Sequence, residues 1–257
     1  MTTVFFTNTG PDRELNEDAI LAGPVYGGLS MGEPMIATHP GPLVALADGM
    51  GGGPGGAVAA RVVLEDLAMM ADSDAQEAHD AILECLYGSV ARMGRLAADE
   101  PDLAGMGSTV AGIWRRGQAA TIFNCGDCRV YRRRDRDRDL ELLSRDHSPV
   151  YDLYLEGEIG FEDIRTHPMR HLISSAVQQG NNWLDVFSRV VRLRPGDLFL
   201  ICSDGLWESL AGDDLAGYLA GPSLEDGALA LSRAVMEENA GDNFSFVLLE
   251  VDGVTES

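Results

Sequence analysis

The chain contains no lysine, and all 19 of its basic residues are arginine. That excludes chemistry built on a lysine amine, such as a Schiff base. It also excludes a Walker A loop, which needs its lysine against the terminal phosphates. Positive charge is scarce altogether. Asp and Glu number 41, so the formal net charge is -22 at pH 7. Such a surface repels nucleic-acid phosphates and anionic headgroups, so neither nucleic acid nor membrane is expected as a partner. Cysteine is scarce too. Cys85, Cys125, Cys128 and Cys202 are too few for a disulfide scaffold. They point to reduced thiols and a cytoplasmic protein. The start carries no basic, apolar leader, and no run approaches the ~18 apolar residues of a membrane span.

What is present suffices for a core. Of the 257 residues, 45% are apolar and 23% charged, which excludes overall disorder. With no internal repeat and no low-complexity linker, a single domain over 1–257 is expected. Apolar, β-rich segments predict strands at Val4–Thr7, Asp18–Ala22, Leu43–Ala47, Ser108–Trp114, Ala119–Cys125, Arg129–Arg133, Leu140–Leu143, Val186–Leu193, Leu198–Cys202 and Phe244–Val251. Helices are predicted at Ala57–Ala71, Ala75–Ala98, Asp213–Leu219 and Leu224–Glu238. Met69, Met70 and Met93 read as core. Strands and helices come in blocks, which favours an α+β fold with antiparallel sheets and helices packed outside. Residues 148–182 are poorly periodic and read as an inserted flap. The Arg/Asp run from Arg132 to Asp139 reads as a solvated hairpin tip. Cys125 and Cys128 form a CxxC, but with no second pair and no nearby His they read as two packed strand cysteines.

Five acidic positions follow strand-like segments or sit in glycine turns: Glu17-Asp18, Asp48, Asp127, Asp204 and Asp242. A carboxylate fixed by a strand end and followed by Gly suits a hard cation. Oxygen ligands without His or Cys favour Mg²⁺ or Mn²⁺ over Zn²⁺. Gly51, Gly53 and Gly56 formally satisfy G-x-G-x-x-G. Asp48 would repel a pyrophosphate there, and no strand ending in an acid follows at the required distance.

Taken in order, the motifs resemble the PPM/PP2C family of metal-dependent Ser/Thr protein phosphatases in its bacterial form. They are Arg13-x-x-Asn16-Glu17-Asp18, Asp48-Gly49-Met50-Gly51-Gly52, Gly107-Ser108-Thr109, Gly126-Asp127-Cys128-Arg129, Asp146-His147-Ser148, Gly157-Glu158-Ile159, Ser203-Asp204-Gly205-Leu206-Trp207 and Gly241-Asp242-Asn243. The resemblance implies a four-layer α-β-β-α sandwich with two central, mainly antiparallel sheets. It implies two Mn²⁺ or Mg²⁺ ions. Asp48 would bridge them, Asp204 and Asp242 would bind the first, and the Gly49 carbonyl with Glu17 and Asp18 the second. Asp127 would bind a third, weaker ion, shared with Asp204. Arg13 would hold the substrate phosphate. A water activated by the ion pair would hydrolyse phosphoserine or phosphothreonine directly, reversing a Ser/Thr kinase, and the protein would be a monomer. Four positions depart from the family: Met50 and Gly53 where relatives carry His, Cys128 where Ser is usual and Ser245 where Thr is usual. They leave the ligand set intact and place no His in this loop to protonate the leaving group. His147 reads as structural and Trp207 as packed under the site. His167, His171, Arg165 and Arg170 lie in the flap, where they could meet substrate. The rival readings are a non-catalytic partner-binding module of the same fold and a dinucleotide oxidoreductase.

Overall fold

Most strands of this chain are apolar at consecutive positions because both of their faces are covered. The computed structural model describes residues 1–37, 39–51, 54–71, 77–134, 140–238 and 241–252. In chain order its elements are β1 (Thr2–Asn8), β2 (Ala19–Ala22), β3 (Val25–Gly27), β4 (Met35–Ala37), β5 (Leu43–Met50), α1 (Pro54–Met70), α2 (Ala78–Asp99), β6 (Gly107–Arg116), β7 (Ala119–Cys125), β8 (Arg129–Arg133), β9 (Glu141–Leu142), α3 (Pro149–Leu155), β10 (Val177–Gln178), β11 (Phe187–Arg192), β12 (Leu198–Cys202), α4 (Asp204–Trp207), α5 (Gly212–Tyr218), α6 (Leu224–Glu237) and β13 (Phe244–Glu250). Short 3₁₀ helices occupy Pro101–Leu103 and Phe161–Thr166.

One sheet has the order β4-β1-β13-β12-β8-β9 and the other β11-β7-β6-β5-β2-β3, with β10 beside β6. All the pairings are antiparallel. The alternation along β5 separates the layers. Val44 and Leu46 enter the core shared with the other sheet, while Leu43, Ala45 and Ala47 enter the core under α1 and α2. On the far side Ala228, Leu231 and Val235 of α6 pack with the first core. This is the expected four-layer α-β-β-α sandwich. The antiparallel β5–β6 ladder is incompatible with a dinucleotide-binding βαβ unit. Of its glycine string, Gly52 and Gly53 lie outside the described residues.

Several local expectations need correction. Helix α1 starts at Pro54 instead of Ala57, because proline at the first helical turn needs no N–H partner. Strand β5 continues past Asp48 to Met50, so Asp48 and Gly49 sit inside a ladder, opposite Thr109 and Ser108. The stretch 148–182 contains α3, whose start Ser148 caps by accepting from the Tyr151 N–H at 3.2 Å. Met69 is 72% exposed, on the solvent side of the last turn of α1. Arg132 and Arg133 are buried on β8, not solvated, and Arg132 pairs with Glu141 of β9 at 2.5 Å. Residues 135–139 of that run lie outside the described residues. Cys128 precedes β8 instead of lying on a strand. Cys125 faces the helix-side core and Cys128 the inter-sheet core, both as free thiols.

Candidate metal centre and active site

The elements that carry the acids converge at one end of the sandwich. Asp48 is on β5, Asp127 is in the β7–β8 turn and Asp204 opens α4 directly after β12. Asp18 stands immediately before β2, and Asp242 two residues before β13. A cleft of about 580 Å³ opens there, lined by Arg13, Asp48, Asp127, Asp204, Asp242 and Glu208, with Met50, Thr109, Arg170 and His171 among its other walls. Asp18 is fully buried behind it. A larger cavity of about 1100 Å³ lies between α1 and α2, lined by Met69, Met70 and Cys85, away from these acids.

The loops that carry the acids are fastened to one another. Asp18 Oδ2 accepts from Ser203 Oγ at 3.0 Å and Ser245 Oγ at 2.6 Å. Ser at 245 therefore does what a hydroxyl there must do. Asn243 accepts from the Glu17 N–H at 2.8 Å and donates to the carbonyls of Thr9 and Leu15. It thereby ties the β1–β2 loop, which carries Arg13, to the strand behind Asp242. Arg13 Nη2 pairs with Asp242 Oδ2 at 2.7 Å in the open mouth of the cleft. Gly49 and Gly56 allow this crowding. A β-carbon on Gly49 would fall on the Gly56 carbonyl and come within 2.7 Å of the Glu17 carbonyl.

Burial, and after it the repulsion among neighbouring carboxylates, pushes the acids toward their neutral forms. Burial raises Asp18 to about 7 despite its serine donors, with Asp204 and Asp242 adding repulsion. Burial and then Asp242 raise Asp204 to about 6. Asp48 and Asp127 are held well above the usual range, by burial and then by Asp18 and Asp204 respectively. Glu17 is raised by burial, against the pull of Arg13. Asp18 Oδ1, Glu17 Oε1 and Asp204 Oδ1 are buried with no hydrogen-bond partner among the described residues. Unpartnered carboxylate oxygens at that depth fit a hard divalent cation, and the donor set is all oxygen.

Glu208 escaped the sequence reading. It caps α4, four residues after Asp204, and burial followed by Asp204 raises it to about 7. Arg170 Nε donates to its carboxylate at 3.0 Å and His171 Nδ1 lies 3.4 Å away. Arg165 Nη1 donates to its backbone carbonyl at 3.2 Å. Ligand atoms of His171, Asp204 and Glu208 lie within 4.8 Å of one another. The one available signal was the acid pair at helical spacing, Asp204 and Glu208. His147 is buried and structural: its N–H donates to the Gly126 carbonyl at 2.9 Å, and its ring nitrogen meets the Gly126 N–H at 3.1 Å. Trp207 is buried and donates to the Asp127 carbonyl at 3.1 Å. His167 is half-buried in the 161–173 stretch, where its Nδ1 accepts from the Met169 N–H at 3.2 Å.

The fold and the cleft define a class of proteins: two-sheet α-β-β-α sandwiches with an all-oxygen acidic centre at one end of the sheets. The family model described as Protein phosphatase 2C matches residues 35–237, and the chain belongs to that family. It is 32% identical over 213 residues to the serine/threonine protein phosphatase PstP of Mycobacterium tuberculosis, a match covering 81% of this chain and 40% of that protein. The chain thus spans well under half the length of that relative. It is 32% identical over 222 residues to the serine/threonine phosphatase Stp of Listeria welshimeri, covering 81% of this chain and 84% of that one. The crystal structure of the PstP catalytic domain in complex with two manganese ions is 26% identical, with a TM-score of 0.79. That superposition covers 98% of this chain and 100% of the other.

Proposed function

We propose that the chain hydrolyses phosphoserine and phosphothreonine in proteins with two Mn²⁺ or Mg²⁺ ions, opposing a bacterial Ser/Thr kinase. The observation that carries this reading is the set of buried carboxylate oxygens left without partners in a cleft that also holds Arg13. Asp48, Asp204, Asp242 and the Gly49 carbonyl, with Glu17 and Asp18, would hold the pair, and Asp127 with Asp204 a third ion. When bound, such a pair supplies an acidified water and positive charge against the phosphoryl oxygens. The chain's own residues do the rest. Arg13 presents a guanidinium fork to the substrate phosphate once it leaves Asp242. Ser203 and Ser245 hold Asp18 in one orientation. Met50 brings no proton to the leaving alkoxide, so the loop after Asp48 contributes position and not acid catalysis. No phosphoenzyme is required.

Residues 148–182 serve as a flap at the cleft, fixed through Arg165 and Arg170 to Glu208. The reading includes a cytoplasmic setting, which the free thiols fit, and a chain that acts as a monomer. The intact acid set favours catalysis over a partner-binding module, which has no need to retain it. The test is initial rates on a phosphothreonine peptide with Mn²⁺, with Mg²⁺ and with EDTA, beside Asp204→Asn. Turnover that requires the metal and collapses in the variant is expected. Tight metal binding without turnover would transfer the chain to the binding-module reading.

A further inference from the structure

Three of the four sheet edges are stubs: β3 and β4 have three residues each and β9 has two. The fourth, β11, has six, and its outer side pairs with no strand among the described residues. A long open edge presents a row of free N–H and C=O groups that folds normally shorten or cover. This one is open to solvent, with Val190 71% exposed and Arg189 and Arg192 exposed beside it.

The charge around this edge inverts that of the molecule. The register Arg192↔Ala119↔Arg116 puts Arg192 and Arg116 on one face with a single strand between them, roughly 10 Å apart. Arg194 follows two residues after Arg192, while the register Arg115↔Ala120↔Val191 puts Arg115 on the opposite face, and both are exposed. The side chains of Arg115, Arg192 and Arg194 make no ion pair or hydrogen bond among the described residues. Arg189, on the other face, approaches Glu141 only to 3.9 Å. Five exposed arginines thus lie around β11 and the neighbouring end of β6, divided between the two faces of the sheet, in a chain of 19 basic and 41 acidic residues. The patch is remote from the cleft. Thr109 stands opposite Asp48, and Arg116 lies further along the same strand, roughly 23 Å away at strand rise.

We propose that the β11 edge docks an extended acidic segment of a partner protein as an added strand. Backbone pairing along the free edge supplies affinity, and the residues opposite Arg189, Val190 and Arg192 supply selectivity. An antiparallel segment then carries acid, any residue, apolar, acid in that order. A second copy of the chain is disfavoured, because two β11 edges would bring arginine against arginine.

The experiment uses the full chain and a fluorescent peptide with a Glu-Thr-Val-Glu core, followed by anisotropy at low and moderate salt. Saturable binding that weakens with salt is expected. The double variant Arg189→Glu/Arg192→Glu should lose affinity about tenfold or more. Methylating alternate peptide amides should abolish binding, since it blocks strand pairing. Three outcomes overturn the proposal: no saturable binding by the wild type, unchanged affinity in the double variant, or undiminished binding of the methylated peptide. An unchanged melting temperature, and an unchanged rate on a small phosphate ester, show that the variant is folded.

Discussion

At the scale of single residues, Gly49 shows why this site tolerates so few side chains. Its missing β-carbon is the space in which the start of α1 and the Glu17 loop close on the acids. Gly49→Ala should therefore cost about 1–3 kcal/mol or more in urea unfolding without metal. Gly88→Ala, at an open position inside α2 with nothing within 4 Å, should be neutral or stabilise by about 0.5–1 kcal/mol. Asp48 was legible because an apolar run delivers it to a glycine turn. Glu208 was not, because its meaning comes from Arg170, 38 residues away in sequence. Glu208→Ala removes the anchor of Arg170 and His171. With no lysine in the chain, trypsin cuts only after arginine. Cleavage after Arg165 and Arg170 should accelerate several-fold in that variant, and an unchanged digestion pattern would contradict the anchoring role.

At the scale of elements, the long apolar strands and the amphipathic helices were readable in the sequence, since a strand covered on both faces has few polar positions to obscure it. The strands Val25–Gly27 and Met35–Ala37 were not, being too short for a period. Buried Arg132 and Arg133 were misread because an arginine run looks solvated until its strand neighbours are known. Arg129 illustrates the same dependence on context. Its guanidinium donates to both Asp146 oxygens, with the shortest contact 2.7 Å, and lies 3.7 Å from the centre of the Trp207 ring. It joins β8, α4 and the segment that leads into α3. Arg129→Ala leaves Asp146 buried and unpaired, and should cost about 3–5 kcal/mol. The double change Arg129→Leu/Asp146→Leu should cost less than the single one in the same denaturation experiment.

For the whole molecule, the acid cluster sets how stability responds to pH. The folded-state values of Asp18 and Asp204 are raised, to about 7 and about 6. Their contribution to stability is therefore full at pH values below the ordinary carboxylate range, and is lost as pH rises through those values. Without metal, the melting temperature should fall between about pH 5 and pH 8. Mn²⁺ should raise it most at the upper end, where the carboxylates are ionised. A metal-free melting temperature that climbs across that window would contradict the crowding of buried acids. The uneven surface, acidic overall with arginines gathered around β11 and the end of β6, is invisible until the strands are paired.

The most direct measurement of the central claim is a titration of Mn²⁺ into metal-stripped protein, counting ions bound and phosphate released from a phosphothreonine peptide in one sample. Hydrolysis should rise with the ions bound and saturate when at least two are held per chain, and Asp48→Asn should neither retain the pair nor turn over. Full turnover in excess chelator, or an undiminished rate in Asp48→Asn, would show that these carboxylates are not the catalytic centre.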